Sequence, residues 1–598
     1  MITTLQTFDY IVLLGLLIFL IVASMYSSFK KKDSEEYFMA GRSLRWWSVA
    51  GSIFGTNIHA QQIIGMMGVG YSVGFAQSHY EVWAVVAILV LVYVFIPIYR
   101  KRNFFTLSQF LEKRYNSNTR LAYMVVMIAF IMIQLVGGFY IGSRTLGLLF
   151  AGSPYEITYF QGILIIAVVT VIFSVFGGME SVVIADNILT VVMIVAVLII
   201  GTLTYMQPEI GGFSGLLKID HAGANKMHLF LPTNHKDLPW LGIFTGLTIL
   251  NFFYWTTNQY QVQRVLAAKT ERDAKLGAIA SGFLKLIIPF FSIAVGTAAY
   301  YIFRIRFGEN VVKPDDTFMT LLKVVVPSGL GLKGLVLAGL ICAIFSAIYS
   351  MMNSVSTMMA FDVYKKHINA HASDRQTVRF GQIFVCIMVG VAIILAMITF
   401  DPNSSDNFFL KIAKQTSYIK PGLVIVFFCG ILWKKTNPIA AVIVLLGSPL
   451  IGLFCDLLYE GWLVNFSFVK ATFGENFNFL YRVFSITFLG SIIIIILSKI
   501  LNKKNTHISG ESLELMGSLK DIQTAVLRFS LIHIPLITLG YNGIFTPQLL
   551  AIPAIIFTFL LFIWYFKHSK EEYILWESDI FYAGLLTSSM VGILYYFA

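Results

Sequence analysis

Apolar runs of about twenty residues recur along the chain between short polar stretches, and each is long enough to cross a bilayer as a helix. The pattern predicts sixteen spans, near 10–29, 44–73, 79–98, 121–148, 158–177, 184–206, 240–266, 276–304, 331–363, 377–399, 408–433, 437–459, 478–500, 525–542, 548–566 and 579–597. Two of them break the apolar rule. Span 2 contains "GTNIHAQQIIGMMGVGYSVGF", with Asn57, His59, Gln61 and Gln62 beside Gly55, Gly65, Gly68, Gly70 and Gly74. Span 7 contains "NFFYWTTNQYQVQR", with Asn251, Thr256, Thr257, Asn258, Gln259, Gln261 and Gln263. An amide without a partner costs several kcal/mol in hydrocarbon, so polar groups at that depth are buried in protein or face water. Glycines weaken the helix there and let the backbone open, or they let helices pack closely. Span 7 lies five spans after span 2, an odd number, so the two cross in opposite directions. Two interrupted helices at equivalent places in inverted halves point to a secondary transporter, with spans 2–6 and 7–11 as the halves.

Composition agrees with the membrane assignment. Of 598 residues, 57% are apolar and only 12% are charged, about half the charged share of a soluble protein. The net charge of +12 would suggest nucleic acid in a soluble chain, but here the basic residues gather in alternate loops. These hold Lys30 to Lys32, Arg42 and Arg45; Arg100 to Arg102, Lys113 and Arg114; Lys269, Arg272 and Lys275; Lys365, Lys366 and Arg375; Lys434 and Lys435; Lys503 and Lys504; Lys567 and Lys570. That alternation places these loops in the cytoplasm and the N-terminus outside. The expectation is a multi-pass protein of the cell membrane, the bacterial inner membrane, with the lipid bilayer as a partner and no nucleic acid. The first run is followed by "KKK", the reverse of a secretory signal, and reads as a retained helix. Cys342, Cys386, Cys429 and Cys455 lie in or beside apolar runs and read as small core residues. No GxxxxGK[ST], HExxH, CxxC or GxSxG occurs, which argues against an ATP-driven pump or an enzyme.

Two charges fall within the expected spans. Glu81 opens span 3 in "SHYEVW", and Lys285 lies inside span 8 in "SGFLKLIIPF". Each needs partners at that depth. One reading is a structural ion pair between helices. The other is a cavity in which carboxylate, ammonium and amides bind hydroxyl groups, with Tyr80, Tyr254 and Trp255 stacking on the apolar face of a sugar ring.

The stretches "GRSLRWWSVAGSIFGTNIHAQQIIGM", "SHYE", "YWTTNQYQVQRVLAAK", "FLKLIIPF", "NSVSTMMAFDVYKK" and "GILWKKTN" follow one another from about residue 40 to 437. In them the chain resembles the sodium:solute symporter family, specifically its sodium/glucose cotransporter branch. The resemblance implies an all-α polytopic membrane protein with a five-plus-five inverted-repeat transporter core, two discontinuous helices and flanking helices. It implies sodium-coupled uptake of a neutral sugar or related polyol by alternating access, with Na+ as coupling ion and no organic cofactor. By position, it assigns sugar contacts to Gln62, Glu81, Asn251 and Lys285, and an inner gate to Tyr254 with Trp255 and Gln259 beside it. Met66, Tyr80 and Phe409 match the outer gate. Gly55, Ile58, Ala343 and Ser346 match the sodium ligands, and Asp186 an acidic residue near the cytoplasmic sodium exit.

Three positions depart from the branch. Ala347 stands where a second serine hydroxyl is expected, Leu189 where a glutamine follows Asp186, and Ala413 where a sugar-binding glutamine falls, with Lys411, Lys414 and Gln415 nearby. The first two leave proton-coupled or ion-independent sugar transport as an alternative. The expected organisation is an extra helix in 1–40, repeats in 41–206 and 207–434, two helices in 435–500, a cytoplasmic loop in 501–524, and three helices in 525–598.

Overall fold

The computed structural model describes residues 5–26, 33–57, 60–101, 104–150, 156–308, 312–399, 407–504, 516–569 and 574–598, and within each of the sixteen expected spans the described residues are predominantly helical. Among these residues, ten helices are long and apolar enough to cross a membrane unaided, and a bent pair in span 11 makes an eleventh. Spans 1 and 5 contribute the shorter apolar helices Thr7–Leu20 and Tyr159–Ile172. No regular strand forms among the described residues, and two isolated bridges are the only strand-like pairings.

Span 2 includes the helical stretches Trp46–Asn57 and Ala60–Ser72, and the part of the expected interruption at residues 58 and 59 lies outside the described residues. Gly55, Gly65, Gly68 and Gly70 lie within the helical halves and serve close packing instead. A Cβ on Gly70 would lie 2.2 Å from the Ile293 carbonyl oxygen, and one on Gly296 would lie 2.1 Å from that of Met67. Span 2 and the second half of span 8 therefore cross backbone against backbone, as small residues permit. Gly74 does use its freedom: it turns the chain out of span 2 with φ +118°, a conformation that L side chains rarely adopt.

Span 7 breaks without a glycine. Wide π-type turns at Ile243–Leu247 and Phe253–Thr257 lead to Asn258, whose backbone is extended (φ −87°, ψ 118°), before Gln259–Leu266 resumes the helix. Freed carbonyls need donors in a dry interior. The Tyr99 hydroxyl donates to Thr256 O at 2.8 Å and the Tyr123 hydroxyl to Thr257 O at 2.9 Å. Span 11 breaks as well, between Phe408–Thr416 and Lys420–Leu432, with a 50° bend. The break in span 11 is absent from the sequence-based expectation.

The basic loops meet at one end of the bundle. Arg42 and Arg100 donate to the carbonyls of Leu266 and Ala268, and Arg114 to those of Gly430 and Trp433. Leu44 N donates to Ala267 O and Lys269 N to Leu44 O, which ties the start of span 2 to the end of span 7. Arg120 bridges Glu112 and Asp362. Of the last three helices, Met516–Tyr541 shows apolar side chains outward (Leu531 is 65% exposed), as a lipid-facing helix does. Asp579–Tyr596 instead packs on Glu271–Ile288, where a Cβ on Gly282 would lie 2.6 Å from Leu586.

Candidate substrate and ion site

Four elements bring one polar group together in the middle of the bundle. Lys285 of span 8 pairs with Glu81 of span 3 at 2.7 Å and donates to the Asn57 side-chain oxygen at 2.5 Å. Gln62, from the second half of span 2, donates to the other Glu81 oxygen at 2.7 Å. The Lys285 ammonium also lies 5.6 Å from the centre of the Trp255 ring in span 7. Glu81 is 0% exposed, Lys285 3% and Asn57 5%, so these three are buried, and Gln62 is half-buried. The buried Asn251 amide nitrogen makes no hydrogen bond among the described residues. A network with spare donor capacity, lined by aromatic faces, can exchange its internal bonds for those of a hydroxyl-rich ligand. Asn57, quoted in the sequence motif but given no role, is thus a direct partner of the lysine.

Aromatic residues lie on the same elements. Tyr80 and Phe409 meet edge to face at 5.3 Å, and Phe409 also lies against Gly65. Met66 is fully buried, and its sulfur receives the Gln62 amide at 3.5 Å. Tyr254 contacts Trp255 at 5.8 Å and Tyr260 at 6.1 Å. Gln259 does not join the Glu81 group. Its amide accepts from Leu107 N at 2.8 Å and donates to Phe105 O at 3.3 Å, so it fastens the basic-end loop to span 7. A surface pocket of about 280 Å³, lined by Ser143, Arg144, Tyr159, Lys313 and Asp316 among others, shares no residue with the central group. The pocket is a surface hollow, whereas the Glu81 group is buried.

A second polar group lies around Asp186. One carboxylate oxygen accepts from Ser346, and the other from Ser52 at 2.6 Å and Thr56 at 3.2 Å. Thr56 and Ser350 hydroxyls are 3.3 Å apart. The Arg264 guanidinium, 0% exposed, is 3.7 Å from Asp186. Gly55 packs on the same residue, where a Cβ would lie 2.8 Å from the Asp186 carbonyl oxygen. Asp186 therefore joins Gly55 and Ser346 directly, with Ala343 and Ala347 buried on the same helix as Ser346. Ile58 lies outside the described residues. All the nearby acceptors are oxygens, the donor chemistry that suits a hard cation. No group of three or more His, Cys, Asp or Glu side chains suited to a metal occurs among the described residues. The sequence reading passed over Ser52, Thr56, Ser350 and Arg264, although Thr56 adjoins the polar motif and Ser350 ends "FSAIYS".

A family profile for the sodium:solute symporter family matches residues 37–447. A sodium/glucose cotransporter of Vibrio parahaemolyticus is 31% identical over 452 residues, covering 72% of this chain and 80% of that protein. The sodium/myo-inositol cotransporter 2 of Bos taurus is 27% identical, over 76% of this chain and 71% of that protein. A sodium-coupled sialic acid symporter, solved in a substrate-bound outward-open state, superposes with a TM-score of 0.70 at 20% identity, covering 85% of this chain and all of that one. A nucleobase-cation-symport-1 family transporter in a closed conformation gives 0.51 at 12% identity, over 78% of this chain and 95% of its own. At those identities the likeness is one of fold: a five-plus-five inverted-repeat transporter core with discontinuous helices and flanking helices.

Proposed function

Because the chain belongs to the sodium:solute symporter family, we propose that it is a sodium-driven importer of a neutral sugar or related polyol working by alternating access. The observation that carries this reading is the Glu81–Lys285–Gln62–Asn57 group, with an Asn251 amide that has no hydrogen-bond partner among the described residues. Sugar hydroxyls would donate to Glu81 and accept from Lys285, Gln62 and Asn251. The faces of Tyr254 and Trp255 would cover the ring. The relatives described as glucose and myo-inositol cotransporters support a hydroxyl-rich ring as substrate. Gln259, held by the 105–107 backbone, positions the inner end of span 7 and does not touch the sugar in this reading.

Sodium would be held where Gly55 of span 2, Asp186 of span 6 and Ser346 of span 9 converge, with Ala343 and Ile58 as further contributors of backbone oxygen. An ion bound there ties three spans together and favours the state that admits substrate. One charge moving down 100 mV contributes about 2.3 kcal/mol to accumulation. The basic end of the bundle faces the cytoplasm of a bacterial cell and the N-terminus faces outside. A second reading, proton-coupled or ion-independent uptake, has one observation in its favour. Asp186 already accepts three protein hydroxyls beside Arg264, so its charge is compensated without sodium.

The test is uptake of labelled glucose, galactose and myo-inositol into proteoliposomes, under an inward sodium gradient and with choline in its place. Sodium-dependent accumulation is the expected outcome. Equal uptake in choline favours the second reading, and no uptake of any of the three defeats the sugar assignment.

A further inference from the structure

The bend of span 11 is fastened by its neighbours. Pro421 has no amide hydrogen, so the Ser417 carbonyl lacks its helical donor and the helix parts at 417–419. The last carbonyls of the Phe408–Thr416 half then need other partners. Arg482, 8% exposed at the start of the Phe479–Lys504 helix of span 13, reaches into the break. Its guanidinium donates to Lys414 O at 3.2 Å and to the Ser417 hydroxyl at 2.8 Å. The same group pairs with Asp456 of span 12 at 3.1 Å, and the Tyr418 hydroxyl donates to that carboxylate at 2.5 Å. It also lies 4.0 Å from the centre of the Tyr418 ring, which sits where a Cβ on Gly452 would come within 2.6 Å of it.

The two halves of span 11 are held by different parts of the molecule. Ser448 of span 12 donates to Tyr418 O at 2.9 Å, and the Lys420–Leu432 half packs on the helices of spans 12 and 13. The 408–416 half lies instead against spans 2, 3 and 4: Phe409 meets Gly65 and Tyr80, and Phe408 meets Gly137. Asn407 donates to Gly65 O at 3.3 Å, and Lys414 pairs with Asp237 at 3.4 Å. A swing of this half about 417–419 would part Phe409 from Tyr80. It would also break the bond from Arg482 to Lys414 O, while Ser448 still holds the Tyr418 carbonyl. Bonds made in only one of two arrangements shift the balance toward that arrangement.

We propose that Arg482 is a positioning residue for the outer gate: bonded to Lys414 O and Ser417, and held by Asp456 and Tyr418, it favours the arrangement in which Phe409 meets Tyr80. Two helices that the expected organisation places beyond the inverted repeats thereby set how readily the repeats open. The proposal rests on the gate reading of Met66, Tyr80 and Phe409, and is independent of which solute is carried.

The test reads gate opening without a substrate. Met66 is fully buried, bonded by Gln62 and next in sequence to the Gly65 that Phe409 touches, so a thiol at position 66 reacts when that contact opens. The full chain carrying Met66→Cys is placed in lipid nanodiscs and treated with a charged thiol reagent, with the chain that keeps Met66 as background. Ser108→Cys, at a buried position of the basic end, reports general loosening in the same way. Arg482→Met and Asp456→Asn are each expected to speed labelling at 66 about tenfold, the factor for losing one charge-assisted hydrogen bond, and to leave labelling at 108 unchanged. Two variants are used so that failure of one to fold leaves the comparison intact. Labelling at 66 that is unchanged or slower in a folded variant, or quickened equally at 66 and 108, overturns the proposal and leaves the gate reading standing. No labelling at 66 in any chain defeats the gate reading, and the proposal with it.

Discussion

Lys285 has one charged partner, Glu81, and one neutral one, Asn57, and the two can be separated experimentally. Glu81→Gln leaves a buried ammonium without a counter-charge, a loss of about 3–5 kcal/mol for pairs of this kind. The variant is expected to melt at lower temperature in detergent and to lose sugar uptake, while Glu81→Gln combined with Lys285→Met recovers melting temperature but not uptake. Recovery of uptake in the double variant would show that the pair only holds the helices. Thr56 poses a second residue-level question. Its hydroxyl lies 3.3 Å from Ser350 and also bonds Asp186, near the place where Ala347 lacks an oxygen. If Thr56 supplies that missing ligand, Thr56→Val raises the sodium concentration for half-maximal uptake, and adding Ala347→Ser lowers it again. A sodium response unaffected by Thr56→Val would remove Thr56 from the ion site.

At the scale of elements, the break of span 7 depends on donors from elsewhere in the chain. Tyr99→Phe leaves Thr256 O unpaired in a dry interior, a cost of about 1–3 kcal/mol. It is expected to lower the melting temperature and slow uptake, and an unchanged melting temperature would mean that water or another donor takes over. The 226–238 loop at the opposite end is sensitive to pH. The His235 ring nitrogen Nδ1 accepts from Asp237 N at 3.2 Å and Leu238 N at 3.1 Å, which requires it unprotonated. Burial lowers its pKa from 6.5, against the opposing pull of Asp237, and Lys236 and His228 lower it further. The native loop therefore binds fewer protons than the unfolded one. Its stability is full above pH 6.5 and is lost as pH falls through the depressed value. Amide exchange at Asp237 and Leu238, corrected for intrinsic rates, should quicken on acidification, and His235→Gln should flatten that response.

At the scale of the whole molecule, the last helix clamps the span that carries Lys285. Arg272 at the basic end donates to Glu577 O at 2.6 Å, and Leu229 N at the opposite end donates to Phe597 O at 3.0 Å. Between them Leu586 fills the space beside Gly282, and the Phe597 ring meets Phe75 at 4.6 Å. Deleting residues 574–598 is expected to lower the melting temperature by several degrees and to reduce uptake without abolishing membrane insertion. Unchanged melting and uptake would mark the last helix as a passive neighbour.

That the chain is a multi-pass helical membrane protein was legible in the sequence because hydrocarbon allows little besides apolar helices, and the polar runs of spans 2 and 7 stood out against them. Glu81 and Lys285 were legible singly, since an intramembrane charge is conspicuous in any sequence. Their meeting with Gln62 and Asn57 was not, because it joins residues up to 228 positions apart. Only the packed fold sent Gln259 to the 105–107 backbone, gave Tyr99 and Tyr123 the freed carbonyls of span 7, and gathered Ser52, Thr56 and Arg264 around Asp186. The bend of span 11 was missed although "KQTSYIKPG" (414–422) carries the polar residues and the proline that mark a helix boundary; what the break exposes depends on the helices packed against it. The periodic demands of the bilayer fix which segments cross, and long-range packing decides which of their polar groups meet.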